Sequence, residues 1–216
     1  MKLKGLTIHF LGDSITEGVG VSHPGKRYFE LIKKKFKLKE ANGYGISGTR
    51  YAKQTIPSEE PSFDQFFASR IEEMKPKADC IIVFGGTNDF GHGDAPVGSF
   101  SDRTPDTFYG ACHDLYTRLI EKYPGKPIVI MTPLHRLEEI ETREKPDRTM
   151  MLSDYVNIIK EVAEYYSLPV CDMYQISGLQ PLVPVIQEKF VPDGLHPGDA
   201  GHELIAERLG NFLLAL

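Results

Sequence analysis

The chain has 216 residues, of which 41% are hydrophobic and 25% charged, the balance of a soluble globular protein. Its 25 Lys and Arg against 30 Asp and Glu leave a formal charge of −5, which disfavours a nucleic-acid partner because such binding needs a basic face. A chain of this length buries a core without staples, so residues 1–216 read as one domain.

Leu6–Leu11 is the first apolar run and the first predicted strand. Tyr28, Ile32 and Phe36 mark one face of a helix, with Lys33-Lys34-Lys35 on its solvated side. A weak strand is expected near Lys39–Asn42, and Phe63, Phe66, Phe67 and Ile71 suggest a helical stripe. Cys80-Ile81-Ile82-Val83-Phe84 is a continuous apolar run, the pattern of a strand buried on both faces. Thr104-Pro105 reads as a helix start, Thr as N-cap and Pro at the first helical position. The stripe that follows is Phe108, Ala111, Cys112, Leu115 and Leu119. Ile128–Met131 is the next central strand. Leu152, Tyr155, Val156, Ile159, Val162, Ala163 and Tyr166 give the clearest 3.6-residue period. Pro169–Cys171 is a short strand, and Ile205, Leu209, Phe212 and Leu213 face the core from the last helix.

Strands alternating with amphipathic helices argue for a parallel sheet covered on both faces. In such sheets the loops at the carboxyl ends of the strands form the binding crevice. Asp89–Arg103 and Leu137–Arg148 both follow central strands and are therefore read as substrate-side loops. Cys80, Cys112 and Cys171 are odd in number and lack metal-type spacing, so they are expected to be reduced core thiols. Met1–Gly5 runs straight into the first strand, with no signal peptide visible. No apolar run reaches membrane-spanning length. The cytoplasm is the expected location, without integral membrane association.

The chemistry sits at the two ends of the chain. A serine hydroxyl needs a base to take its proton, and the base needs a partner to fix its tautomer. Ser14 follows the first strand in Gly12-Asp13-Ser14-Ile15-Thr16-Glu17-Gly18, which puts its Oγ at the strand's carboxyl end. His196 stands before Pro197, which disfavours helical geometry there. Asp193, three residues earlier, is within reach of its Nδ1. A tetrahedral intermediate also needs donors aimed at its oxyanion. Those available are the Ser14 N–H, a glycine N–H in Gly45-Ile46-Ser47-Gly48, and the Asn88 amide in Gly85-Gly86-Thr87-Asn88-Asp89. Asp13 is expected to hold the turn. Among the other histidines, His92 and His135 follow strands and are expected to line a substrate pocket. His9 and His202 read as packed side chains, and His23 and His113 as surface or packing residues. No motif supports a metal site, and no cofactor is expected.

These segments resemble the sequence blocks of the SGNH hydrolase superfamily, the GDSL-type esterases, lipases and acylhydrolases, and fall in the family's order along the chain. Gly12-Asp13-Ser14-Ile15 is similar to the first block, with Ile where the name has Leu. Asn42-x-Tyr44-Gly45-Ile46-Ser47-Gly48 resembles the second and implies Gly48 as an oxyanion donor. Gly86-Thr87-Asn88-Asp89 resembles the third and implies Asn88 as another. Asp193-Gly194-Leu195-His196-Pro197 resembles the fifth, implying Asp193 and His196 as partners of Ser14. The resemblance implies a flavodoxin-like three-layer α/β/α sandwich with a parallel five-stranded sheet. The Gly-x-Ser-x-Gly elbow of ordinary α/β-hydrolases is absent, since its last position is Thr16 here.

The expected function is therefore hydrolysis of a short-chain acyl ester, an acetyl ester of a carbohydrate or small metabolite foremost, through an acyl-enzyme. A lysophospholipase or thioesterase is the alternative within the family. From another class, a non-catalytic flavodoxin-like module would cradle a phosphate at its first glycine-rich turn, but it has no need of Asp193-x-x-His196 or Asn88. The small-molecule ester is the one partner expected, and the assembly state is not legible.

Overall fold

The apolar runs become strands β1 (Thr7–Gly12), β2 (Glu40–Gly45), β3 (Cys80–Phe84) and β4 (Ile128–Met131), a two-residue hairpin pair β5 (Arg143–Glu144) and β6 (Thr149–Met150), and β7 (Val170–Cys171). In the computed structural model, which describes residues 1–216, β2-β1-β3-β4-β7 form one parallel sheet in that order. The helices are α1 (Ser14–Glu17), α2 (Tyr28–Phe36), α3 (Thr87–Gly91), α4 (Phe108–Lys122), α5 (Leu152–Tyr165), α6 (Met173–Ile176), α7 (Pro184–Phe190) and α8 (Asp199–Ala215).

Side chains alternate across each strand, so the central strands feed two cores. Ile8, Phe10, Ile82, Phe84, Val129 and Met131 pack against α2 and α8 through Tyr28, Phe29, Ile32, Ile205 and Leu209. Leu11, Ile81, Val83, Ile128 and Ile130 face α4 and α5 through Phe108, Leu115, Leu119, Tyr155 and Ile159. The result is the expected flavodoxin-like α/β/α sandwich. Its strand order reverses between β1 and β3, and a crevice opens beyond the carboxyl ends of the strands at such a point. Gly12 of β1 pairs with Gly45 of β2 and Phe84 of β3. Three loops therefore start side by side: Asp13-Ser14, Ile46–Gly48 and Gly85–Asn88.

Four local expectations are corrected. Phe63 to Ile71 is not one helix but two 3₁₀ turns, Pro61–Asp64 and Phe67–Glu73. An extended bridge between Arg50 and Phe66 interrupts them, and the Phe67 N–H bonds Arg50 O. Thr104 is not the cap of α4. Thr107 is, its hydroxyl accepting from the Gly110 N–H at 3.1 Å. Lys53 N–H holds Pro105 O at 2.7 Å and Phe108 N–H holds Pro96 O at 3.0 Å, which fixes the Thr104-Pro105 turn outside the helix. The Asp89–Arg103 segment begins inside α3. The Leu137–Arg148 segment is ordered by a 3₁₀ turn (Leu137–Ile140) and the β5–β6 hairpin.

Candidate active site

Ser14 is the first residue of α1 and is 6% exposed. Asp13 caps the turn, its Oδ1 accepting from the Ile15 N–H at 3.0 Å. Burial pushes the Asp13 carboxyl up to about 6, against the pull of the Ile15 N–H, His196 and Arg70. The Ser14 N–H, in the first turn, has no acceptor within its own helix.

The loop before α8 brings a second pair of groups to this turn. Asp193 Oδ1 accepts from the N–H groups of Leu195 at 2.9 Å and His196 at 2.6 Å. Its Oδ2 lies 2.7 Å from His196 Nδ1, and His196 Nε2 lies 3.0 Å from Ser14 Oγ. Burial raises the Asp193 pKa, but the two N–H groups and the imidazole outweigh it and hold the carboxyl below its ordinary range. An ionised carboxylate has no proton to give, so Nδ1 carries a hydrogen, and in the neutral imidazole Nε2 then turns a lone pair to the serine. The loop is fastened on both sides. Ser22 donates to Asp199 from its N–H at 2.9 Å and its hydroxyl at 2.7 Å, and the Leu137 N–H reaches Gly194 O at 2.9 Å.

The remaining predicted groups arrive from β2 and β3. The Gly48 N–H has no protein acceptor. Its φ of +73° is left-handed, and an added Cβ would lie 2.4 Å from the Phe63 ring, so glycine is required. Asn88 is buried on α3 and donates from Nδ2 to Thr49 O at 3.0 Å. That bond uses one amide hydrogen and leaves the other free. It also sets the amide beside the Gly48 loop.

The two pocket histidines stand in different places. His92 caps the C-terminal end of α3, four residues after Asn88. Its Nδ1 is 2.7 Å from Arg50 Nη1. A guanidinium only donates, so the His92 proton sits on Nε2. Partial burial, with Arg50, Arg136 and Lys145 nearby, pushes this imidazole down to about 4 and keeps it neutral. His135 sits beyond β4, 2.7 Å from Glu139 Oε1 and with its ring centre 3.8 Å from that of Tyr174. It makes no hydrogen bond to Ser14, Asn88 or His196. His9, His113 and His202 are buried. No group of three or more His, Cys, Asp or Glu side chains is placed to hold a metal ion.

Several supporting groups carried no signal in the sequence. Glu17 Oε2 accepts from Ser47 N at 2.6 Å and Ser47 Oγ at 2.5 Å, tying α1 to the Gly48 loop. Lys145 Nζ donates to Asp89 O, Phe90 O and Gly93 O at 2.7–3.0 Å, gathering the carbonyls at the end of α3. Buried Arg70 bonds the ends of both β1 and β2. These contacts join segments far apart in the chain, and no local pattern announces them.

A parallel α/β sandwich with serine, imidazole and carboxylate in series at its switch point defines a class of hydrolase scaffolds. Within that class, the chain belongs to the GDSL-like lipase/acylhydrolase family, whose profile matches residues 10–204. The chain is similar to a solved Lactobacillus plantarum protein at 28% identity, with a TM-score of 0.82 and 98% of each chain covered. It is similar in fold to a lipase/acylhydrolase from Enterococcus faecalis (21% identity, TM-score 0.64, 97% of this chain and 96% of that one). An acetyl xylan esterase, AlAXEase, also shares the fold (20% identity, TM-score 0.66, 96% and 100% covered). No curated protein sequence matches the chain. No helix is long and apolar enough to cross a membrane.

Proposed function

We propose that the chain is a serine esterase for short-chain acyl esters, with Ser14 as nucleophile, His196 as base and Asp193 as the group that orients it. One observation carries this reading: the Ser14 hydroxyl meets the His196 imidazole at 3.0 Å across 182 residues of sequence. Ser14 Oγ attacks the ester carbonyl as its proton passes to His196 Nε2. The new C–O bond makes a tetrahedral oxyanion, received by the Ser14 and Gly48 N–H groups and the free Asn88 hydrogen. The ester C–O bond then breaks and the alcohol leaves with the proton from His196. Water repeats the sequence on the acyl-Ser14 and releases the acid.

The groups near the site favour a polar alcohol. His92 offers an Nε2–H four residues beyond Asn88, since its Nδ1 is taken up by Arg50. An acetyl or similarly small acyl group on a carbohydrate or small metabolite suits this polar donor better than a long hydrocarbon. His92 is read as a substrate contact and His135 as a more distant one. Residues 1–216 are read as one catalytic domain. The buried, unpaired Cys80, Cys112 and Cys171 suit a reducing compartment, and the cytoplasm is proposed on that ground.

Ser14→Ala is the test. The variant is expected to fold as the parent does while its kcat on p-nitrophenyl acetate falls by about 10³-fold or more. A serine-reactive fluorophosphonate is expected to label the parent at Ser14. Near-parental turnover by the folded variant, or no labelling of the parent, overturns the reading and leaves a binding module.

A further inference from the structure

Arg70 is a guanidinium 2% exposed to solvent, yet it contacts no carboxylate. It lies over the Phe67 ring, its central carbon 4.8 Å from the ring centre. Asp13 and Glu73 act on it only from beyond ion-pair distance, and a buried charge without a partner in contact is costly, so hydrogen bonds must hold it. Nη1 donates to Tyr44 O at 2.8 Å, near the end of β2. Nη2 donates to Gly12 O at 3.0 Å, the last carbonyl of β1 and two residues before Ser14. Nη2 also reaches Thr49 Oγ1 at 3.1 Å.

Thr49 extends the network. Its hydroxyl gives its own hydrogen to Ile46 O at 2.7 Å, so it accepts from Arg70. Its carbonyl accepts from Asn88 Nδ2, and Gly48 precedes it directly. Gly12 O takes a second bond, from the Ile46 N–H at 3.2 Å. Three loops from three strands carry the Ser14 N–H, the Gly48 N–H and the Asn88 amide. Each is joined to one guanidinium by no more than two hydrogen bonds and a short run of backbone.

We propose that Arg70 is a positioning residue for the oxyanion site: it fixes the three donors relative to one another and sets a buried positive charge behind them. The inference rests on the esterase reading above. Burial, the main cause, lowers the Arg70 pKa to about 10, so the charge persists at neutral pH. A neutral ester gains little from a cation that it does not touch. The anionic tetrahedral intermediate gains more, because a fixed charge in a water-poor interior is weakly screened. The effect therefore belongs to kcat and not to KM.

The experiment compares Arg70→Met and Arg70→Lys with the parent, each assayed well below its own melting temperature. p-Nitrophenyl acetate gives kcat and KM. Phenylboronic acid, whose boron takes the serine oxygen to become a tetrahedral anion, reports on the charged state directly. For Arg70→Met the expected result is a fall in kcat of about 10²-fold, comparable to loss of an oxyanion donor. KM should stay within about threefold, with boronate affinity falling alongside kcat. Arg70→Lys keeps the charge but not the fork, and is expected between the two. Asn88→Ala should also cost less in the Arg70→Met background than in the parent, because the two groups act as a unit. A folded Arg70→Met with parental kcat, a loss confined to KM, or unchanged boronate affinity overturns the proposal. If the Met variant does not fold, Arg70→Lys decides alone: parental kcat and boronate affinity refute the role of the three-way fork. Ser14→Ala separates the two ideas. If it stays active, the esterase reading fails; if it is dead while the Arg70 variants are normal, only the present inference fails.

Discussion

Asn88 has two amide hydrogens, and the structure uses one of them on Thr49 O. That division defines what a substitution should do. Asn88→Ala removes both the donor and the tie to the Gly48 loop, so kcat on an aryl acetate is expected to fall by about 10²–10³-fold. A change confined to KM would make Asn88 a substrate-binding group instead. Ser14, Asn88, Asp193 and His196 were legible as residues because a serine, an imidazole, a carboxylate and an amide, the types the proposed chemistry needs, stand at distinctive turns. Arg70 was not. An arginine in a stretch of Phe, Ile and Glu looks like any solvated helix residue until its burial is seen.

At the scale of elements, the site depends on how closely α1 is laid against β2. A Cβ on Gly45 would sit 2.2 Å from Glu17 N and 2.6 Å from Thr16 C, both backbone atoms of α1. Neither can swing aside as a side chain tip would. Gly45→Ala should therefore push α1 off the sheet, lowering stability by about 1–3 kcal/mol and reducing kcat together, since Ser14 begins that helix. Urea unfolding and p-nitrophenyl acetate turnover check it. A variant with parental stability and turnover would mean that α1 moves freely, contrary to its bond between Glu17 and Ser47. The long elements were readable from periodicity alone, α5 most clearly. The short ones were not. α3 has five residues and the β5–β6 hairpin two residues per strand. They persist through tertiary contacts such as the Lys145 ammonium at the end of α3, and local propensity gives no notice of them.

The whole molecule carries a balance of buried titrating groups. Burial lowers His9 and His202 to about 4, which gives stability present above about 6.5 and lost as pH falls to about 4. Burial raises Asp13 and Asp89 to about 6, which gives stability present below the unfolded carboxylate pKa, about 4, and lost as pH rises through about 6. Between pH 4 and 6 these two pairs oppose each other, and His92, also lowered to about 4, tips the sum toward stability that rises with pH. His202→Gln keeps an acceptor for the Tyr28 N–H, which His202 Nδ1 now receives at 3.0 Å, but it removes one imidazole from the balance. In that window the slope of unfolding free energy with pH should then fall by about 1 kcal/mol per pH unit relative to the parent. Urea titrations at pH 4.5 and 5.5 measure it, and an unchanged slope would mean that His202 titrates alike folded and unfolded.

Alternating apolar runs and amphipathic stripes determined the layered α/β architecture by themselves, because hydrophobic period and chain length constrain which faces must be buried. Residue type and turn chemistry likewise singled out the serine, the imidazole, the carboxylate and the amide. Tertiary structure alone decided that groups 182 residues apart touch, that Thr107 and not Thr104 caps α4, and that one buried guanidinium joins three loops. The physical reason is the same in each case. Periodicity and capping act over a few residues, whereas hydrogen bonds between distant segments exist only after the sheet has set its strand order and register.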